Sequence, residues 1–138
     1  MKVLLDTNIV LDVLLKREPF FEDAQKVFVA AKWEDVDEYI SASTITDIYY
    51  IAQRTMRDDA KTRTLIKNLL TVVHIATVSQ TEIHYAIDLP WKDFEDSVQY
   101  SVALLNSMDG IITRDRKGYH SSELPVWSPA TFFEFLKV

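Results

Sequence analysis

Along the chain, short uninterrupted apolar runs alternate with longer stretches in which apolar residues recur every three or four positions. That is the pattern of strands covered on both faces of a parallel sheet and joined by amphipathic helices. KVLL (2–5) predicts a first strand, followed by helices over about Asn8 to Lys16 and Phe21 to Trp33, parted by Pro19. YISA (39–42) predicts a second strand, and TITDIYYIAQRT (44–55) a helix with Thr44 as its cap. A further amphipathic helix covers Asp58 to Thr71, with Arg63 and Lys67 on its polar side. VVHIATV (72–78) predicts a third strand, and the helix from about Gln80 to Leu89 is closed by Pro90. DFED (93–96) opens another helical run, GIIT (110–113) predicts the fourth strand, and PVW (125–127) leads into a last helix after Pro129. No linker, repeat or low-complexity segment divides the 138 residues, so one α/β domain spanning 1–138 is expected.

Composition narrows the chemistry. The chain has no cysteine, which excludes a disulfide framework and thiol catalysis and agrees with a cytoplasmic setting. Its longest stretch free of Asp, Glu, Lys and Arg, Asn68 to Thr81, is too short and too polar to span a membrane. MKVLLDTNIVLDVLL carries Asp6 and Asp12 where a signal peptide would be apolar. The formal net charge of −6 argues against binding nucleic acid by bulk attraction, though not against local contact through a bound cation. Two glycines, Gly110 and Gly118, cannot write a Gly-rich phosphate loop. The three histidines (His74, His84, His120) match no zinc spacing, and no Gly-x-Ser-x-Gly elbow is present.

The acids remain. Asp6 directly follows the first predicted strand and Asp115 follows the fourth after one residue, and ligands of open α/β sheets gather at strand carboxyl ends. Asp47 and Asp96 each lie one turn into a helix that borders that edge. Each has a structural reading as well: Asp6 as a helix start, Asp47 in a capping box with Thr44, Asp96 in one with the N-cap Asp93, and Asp115 as a loop residue. On a helical wheel Asp96 lies away from a Phe94, Val98 and Leu105 stripe, which leaves its direction open. Convergence would add chemistry, because two carboxylates ~5 Å apart repel by roughly 3 kcal/mol at an effective dielectric of ~20. A hard divalent cation such as Mg²⁺ or Mn²⁺ relieves that repulsion.

MKVLLDTNIVLDVLL, SASTITDIYYI, DFEDSVQYSVAL and IITRDRKGY resemble, in order and spacing, the PIN-domain family, and most closely its compact bacterial VapC-like toxin type. The resemblance covers essentially the whole chain, with LLDTN and the DFED helix as its specific parts. It implies a three-layer α/β domain, with a central parallel sheet of about five strands flanked by helices. It further implies a Mg²⁺- or Mn²⁺-dependent endoribonuclease that cleaves RNA phosphodiester bonds with metal-activated water. Carried over by position, Asp6, Asp96 and Asp115 match metal-binding acids and Asp47 a further catalytic acid of the pocket, where many relatives have Glu. Thr7 and Asn8 match the polar pair that supports the first acid, and Arg114, Arg116 and Lys117 are candidates for substrate phosphates. A small antitoxin protein and a homodimer are the partners the resemblance suggests. A non-catalytic PIN-like module that binds RNA or protein is the alternative. A phosphoacceptor receiver domain fits less well, because DTN stands where an adjacent acidic pair belongs.

Overall fold

The computed structural model describes residues 1–33 and 35–137; Glu34 and Val138, part of the expected 1–138 domain, lie outside the described residues. Five strands, β1 (Lys2–Leu5), β2 (Asp37–Ser41), β3 (His74–Ala76), β4 (Gly110–Ile112) and β5 (Val126–Trp127), form one parallel sheet in the order β3-β2-β1-β4-β5. The helices are α1 (Thr7–Leu14), α2 (Phe21–Trp33), α3 (Ala42–Met56), α4 (Asp59–Leu69), α5 (Gln80–Ile87), α6 (Phe94–Leu105) and α7 (Pro129–Lys137). A 3₁₀ turn at Arg116–Tyr119 joins β4 to β5. The expected α/β architecture, a five-stranded parallel sheet between helical layers, is present.

Strand pleating sorts the core. Val3 and Leu5 of β1, Ile40 of β2 and Ile112 of β4 join residues of α1 to α4 and Phe132 of α7 in one buried cluster. Leu4 and Ile111 point the other way, into a cluster with Ala86 of α5 and Val98, Tyr100, Val102 and Ala103 of α6. Burial on both faces is why KVLL and GII read as unbroken apolar runs.

The chain winds outward from β1 through β2 to β3, and the crossovers place α1 to α4 on one face. It then reverses to β4 on the far side of β1, and the reversed crossover carries α5 and α6 to the opposite face. The switch falls between β1 and β4, so a crevice opens beyond their carboxyl ends.

Three local expectations are corrected. Thr44 is not the cap of α3: Ser41 is, its Oγ accepting from the Thr44 N–H at 3.3 Å. β2 runs into α3 with no intervening loop, so the hydroxyl that ends the strand meets the free N–H, and Thr44 is buried in the first turn. Only His74–Ala76 of VVHIATV pairs as strand, at the sheet edge beside β2 alone. The Phe94, Val98 and Leu105 stripe is not a buried face: Phe94 is 53% and Leu105 41% exposed, whereas every residue from Ser97 to Ala103 is buried. Lying between α5 and the sheet, α6 is covered on all sides through its middle. Ser97 and Ser101 tolerate this by donating their hydroxyls to the carbonyls of Asp93 (3.1 Å) and Ser97 (2.7 Å).

Candidate active site

β1 ends at Leu5, and the backbone N–H of Asp6 continues the pairing by donating to Ile112 O at 3.0 Å. Asp6 then caps α1, its Oδ1 accepting from the Thr7 N–H at 2.7 Å. Its Oδ2 accepts from Thr113 Oγ1 (2.8 Å) and from the hydroxyl of Tyr119 (3.2 Å). Gln99 Nε2 of α6 reaches Oδ1 at 3.5 Å. The carboxylate is therefore pinned from β1, the loop after β4 and α6 together.

Thr113 is the hub of this loop. Fully buried, its hydroxyl donates to Asp6 and accepts from Asn8 Nδ2 (3.3 Å) and the Asp115 N–H (3.0 Å). That uses the one donor and two lone pairs a hydroxyl has. Asn8 Oδ1 in turn accepts from the Arg114 N–H at 3.2 Å, tying the start of α1 to the segment that carries Asp115. Thr7 Oγ1 reaches Thr44 Oγ1 of α3 at 3.5 Å.

The crevice holds a cleft of about 470 Å³ lined by six carboxylates, Asp6, Asp47, Asp93, Glu95, Asp96 and Asp115, with Thr7, Asn8 and Arg17 beside them. Asp47, Asp96 and Asp115, all chosen from sequence, thus meet Asp6 here. Asp93 is also the N-cap of α6, accepting from the Asp96 N–H at 3.0 Å. DFED therefore both starts a helix and supplies three of the cleft's acids. A second cleft of about 610 Å³ continues past Asp93, Asp96 and Asp115 to Lys92, Lys117, Gly118 and His120. The shared acids form the middle of a groove with cations at both ends.

Crowding shows in the protonation of these groups. Burial, then the charges of Asp6 and Asp93, push the Asp96 carboxyl up to about 6, against a smaller opposing effect of its hydrogen bond with Tyr119. Glu95 is raised to about 7, first by a hydrogen bond with Asp47, then by desolvation and the neighbouring negative charges. Desolvation and the adjoining carboxylates raise Tyr119 far above the ordinary tyrosine range, so its hydroxyl keeps the proton it donates to Asp6.

The donor set suits a hard cation. Among the described residues, no three His, Asp or Glu side chains are gathered into a ready-made ion cage. The carboxylates instead line an open cleft, the arrangement Mg²⁺ accepts when it keeps several waters and takes one or two carboxylates directly. The cleft is also shaped around them: a Cβ at Gly118 would lie 2.5 Å from Asp96 Oδ2 and 3.3 Å from Asp115 Oδ2. Both oxygens occupy the space that glycine leaves.

The candidate phosphate contacts separate. Lys117 lines the second cleft and Arg116 is exposed on the 3₁₀ turn. The Arg114 guanidinium turns away from the acids, onto the buried Asp12 and to 3.8 Å above the ring of Phe20. Sequence reasoning passed over Glu95, Thr113, Gly118, Tyr119 and Arg17. Glu95 lay within DFED and Gly118 within RKGY, so residues already singled out held part of the signal.

An open parallel sheet carrying an acid-lined crevice at its switch point defines the class as an α/β domain with its carboxylates gathered at the strand carboxyl ends. A family model described as "PIN domain" matches residues 2–117. The chain belongs to the PIN-domain family. It is 27% identical over 141 residues to Ribonuclease VapC1 of Aquifex aeolicus, covering 96% of this chain and 94% of that protein. The fold resembles the crystal structure of VapBC2 from Rickettsia felis bound to a DNA fragment from their promoter (TM-score 0.70, 16% identity, 93% and 100% of the two chains). It also resembles Mycobacterium tuberculosis VapC20, a Sarcin-Ricin loop cleaving toxin (TM-score 0.68, 13% identity, 86% and 94%).

Proposed function

We propose that this chain is a Mg²⁺- or Mn²⁺-dependent endoribonuclease, the toxin-like member of a toxin-antitoxin pair. The observation that carries the reading is the meeting of six carboxylates, from β1, α3, α6 and the loop after β4, in one cleft at the sheet's switch point. The similarity to a protein named as a ribonuclease and to structures titled as toxins supports it.

Asp6, Asp96 and Asp115 would hold the cation, with Asp47 and Glu95 completing the acidic wall. A bound divalent ion supplies the charge that acidifies a water and steadies a leaving oxygen. The chain does the positioning. Thr113 and Tyr119 hold Asp6 in one orientation, and Gly118 leaves room for the carboxylate of Asp96. Lys117 lines the groove where flanking phosphates of a polynucleotide would run, with the exposed Arg116 next to it in the 3₁₀ turn. The groove continues past the acids on both sides, which suits cutting within a strand.

The resemblance to the VapBC2 complex supports a small antitoxin as partner, and a homodimer belongs to the same proposal. Among the described residues no helix is long and apolar enough to cross a membrane. We assign the protein to the cytoplasm.

The test is cleavage of a mixed-sequence RNA in Mn²⁺ by the wild type and by Asp96→Asn. The expected result is cutting by the wild type that chelator abolishes and that the folded variant lacks. RNA that is bound but never cut, with or without chelator, would identify a non-catalytic binding module instead.

A further inference from the structure

Arg17 occupies an unusual place. It lines the cleft alongside six carboxylates, yet among the described residues it makes no ion pair with any of them. Its partner is Asp12, a fully buried acid on the far side of α1, whose Oδ1 accepts from Arg17 Nε at 2.9 Å. Nη2 also reaches the carbonyl of Asn8 at 3.4 Å.

The backbone is held as firmly as the side chain. α1 ends in a Schellman motif: Lys16 takes the left-handed conformation (φ 49°), its N–H donates to Val13 O at 3.2 Å, and the Arg17 N–H donates to Asp12 O at 3.0 Å. The same Asp12 that receives the guanidinium therefore also fixes where Arg17 leaves the helix. Lys16 and Arg17 lie at the negative end of the helix dipole, a favourable setting for cations.

Charge is left over. Asp12 serves two guanidiniums, since Arg114 donates to it through Nε at 2.6 Å and Nη2 at 3.2 Å. One carboxylate against two arginines leaves one positive charge uncompensated, and Arg17, with 36% of its side chain exposed, is the one that faces the cleft. Nε and one Nη2 hydrogen are spent; the remaining N–H groups of its planar fork have no partner among the described residues. A forked donor with spare N–H groups, restrained from collapsing onto nearby acids, matches the two oxygens of a phosphodiester.

We propose that Arg17 is the substrate-phosphate clamp of this cleft, engaging a backbone phosphate next to the scissile one on the side opposite Lys117, with Asp12 as its positioning residue. The inference rests on the ribonuclease reading above. It also explains Arg114, whose two bonds hold Asp12 in place so that Arg17 can point outward.

The test compares wild type, Arg17→Met and Arg17→Lys. Deleting the guanidinium of Arg17 does not strand Asp12, which keeps both bonds to Arg114, so the variants should fold; thermal melts check this. The probe is a fluorescein-labelled 12-nucleotide single-stranded RNA, bound in Ca²⁺ across a salt series, with its intactness verified on a gel. Arg17→Met should bind about tenfold more weakly, the loss of one charged hydrogen-bonding contact. Its plot of log affinity against log salt should flatten by about 0.7, the share of one phosphate on a single strand. Arg17→Lys should keep the salt slope while losing affinity, because it keeps the charge but not the fork. Mn²⁺ binding should not weaken in either, and cleavage in Mn²⁺ should show a raised KM with kcat nearly intact. A folded Arg17→Met with wild-type affinity and slope would overturn the clamp while leaving the ribonuclease reading in place. A wild type that neither binds nor cuts RNA would overturn both.

Discussion

Asp47 of α3 and Glu95 of α6, carried by helices on opposite faces of the sheet, face each other in the cleft, and a hydrogen bond with Asp47 is the first cause of the raised Glu95 carboxyl. Two carboxyl groups can share such a bond only when one holds a proton. Glu95, raised to about 7, and Asp96, raised to about 6, are the carboxyls of the cleft most inclined to take up protons as pH falls.

Cation binding should therefore displace protons. Both groups are raised, so they are increasingly protonated as pH falls through 7 and then 6, and affinity for Mn²⁺ should fall over that window. Calorimetry at about pH 6 in buffers of different ionisation enthalpy should detect proton release, and Glu95→Gln should release less. Equal proton counts in wild type and variant would remove Glu95 from the site.

Gly118→Ala should damage the cleft and spare the fold. The added methyl meets Asp96 Oδ2 at 2.5 Å, the free end of a side chain that can swing away, and no backbone atom comes as close. Asp96 would leave its place beside Asp115. Circular dichroism should be unchanged while Mn²⁺ affinity and RNA cleavage drop about tenfold or more, in line with the cost of disturbing groups that orient metal ligands. Full activity in this variant would contradict the placement of Asp96.

Glu38 makes a prediction away from the cleft. It is buried in β2 between β1 and β3, and neither carboxylate oxygen has a partner among the described residues. Burial raises it to about 8 from an ordinary 4.5. The folded state thus holds a proton that the unfolded chain releases. Its contribution is intact below 4.5 and is lost as pH rises to 8, a change on the order of 5 kcal/mol. Melts at several pH values should show the wild type weakening toward alkaline pH. Glu38→Gln should flatten that slope and be the more stable protein above pH 7; parallel curves would show that Glu38 finds a partner in solution.

How far the chain could be read depended on the range of the interaction. KVLL and GIIT announced themselves because a strand covered on both faces needs only its own apolar run to be recognised. Asp93 as a cap was equally local, three residues from the N–H it accepts. Asp6 and Asp115 were legible because strand ends collect ligands in any open parallel sheet. Thr113 and Tyr119 were not, since their bonds to Asp6 span more than a hundred residues and exist only after β1 and β4 pair. Asp12 seemed only a charge in an apolar stretch, and no spacing joins it to Arg114. The direction of Asp96 stayed open on a helical wheel because α6 is buried all round through its middle, from Ser97 to Ala103, and has no single buried stripe.

The central claim is that the carboxylates of the cleft bind a divalent cation. Mn²⁺ titration followed by electron paramagnetic resonance, on the wild type and on Asp96→Asn with both folds checked by circular dichroism, tests it most directly. The account predicts Mn²⁺ binding by the wild type and clearly weaker binding by a folded Asp96→Asn. Equally poor binding by the two proteins would contradict it and return DFED to a helix cap alone.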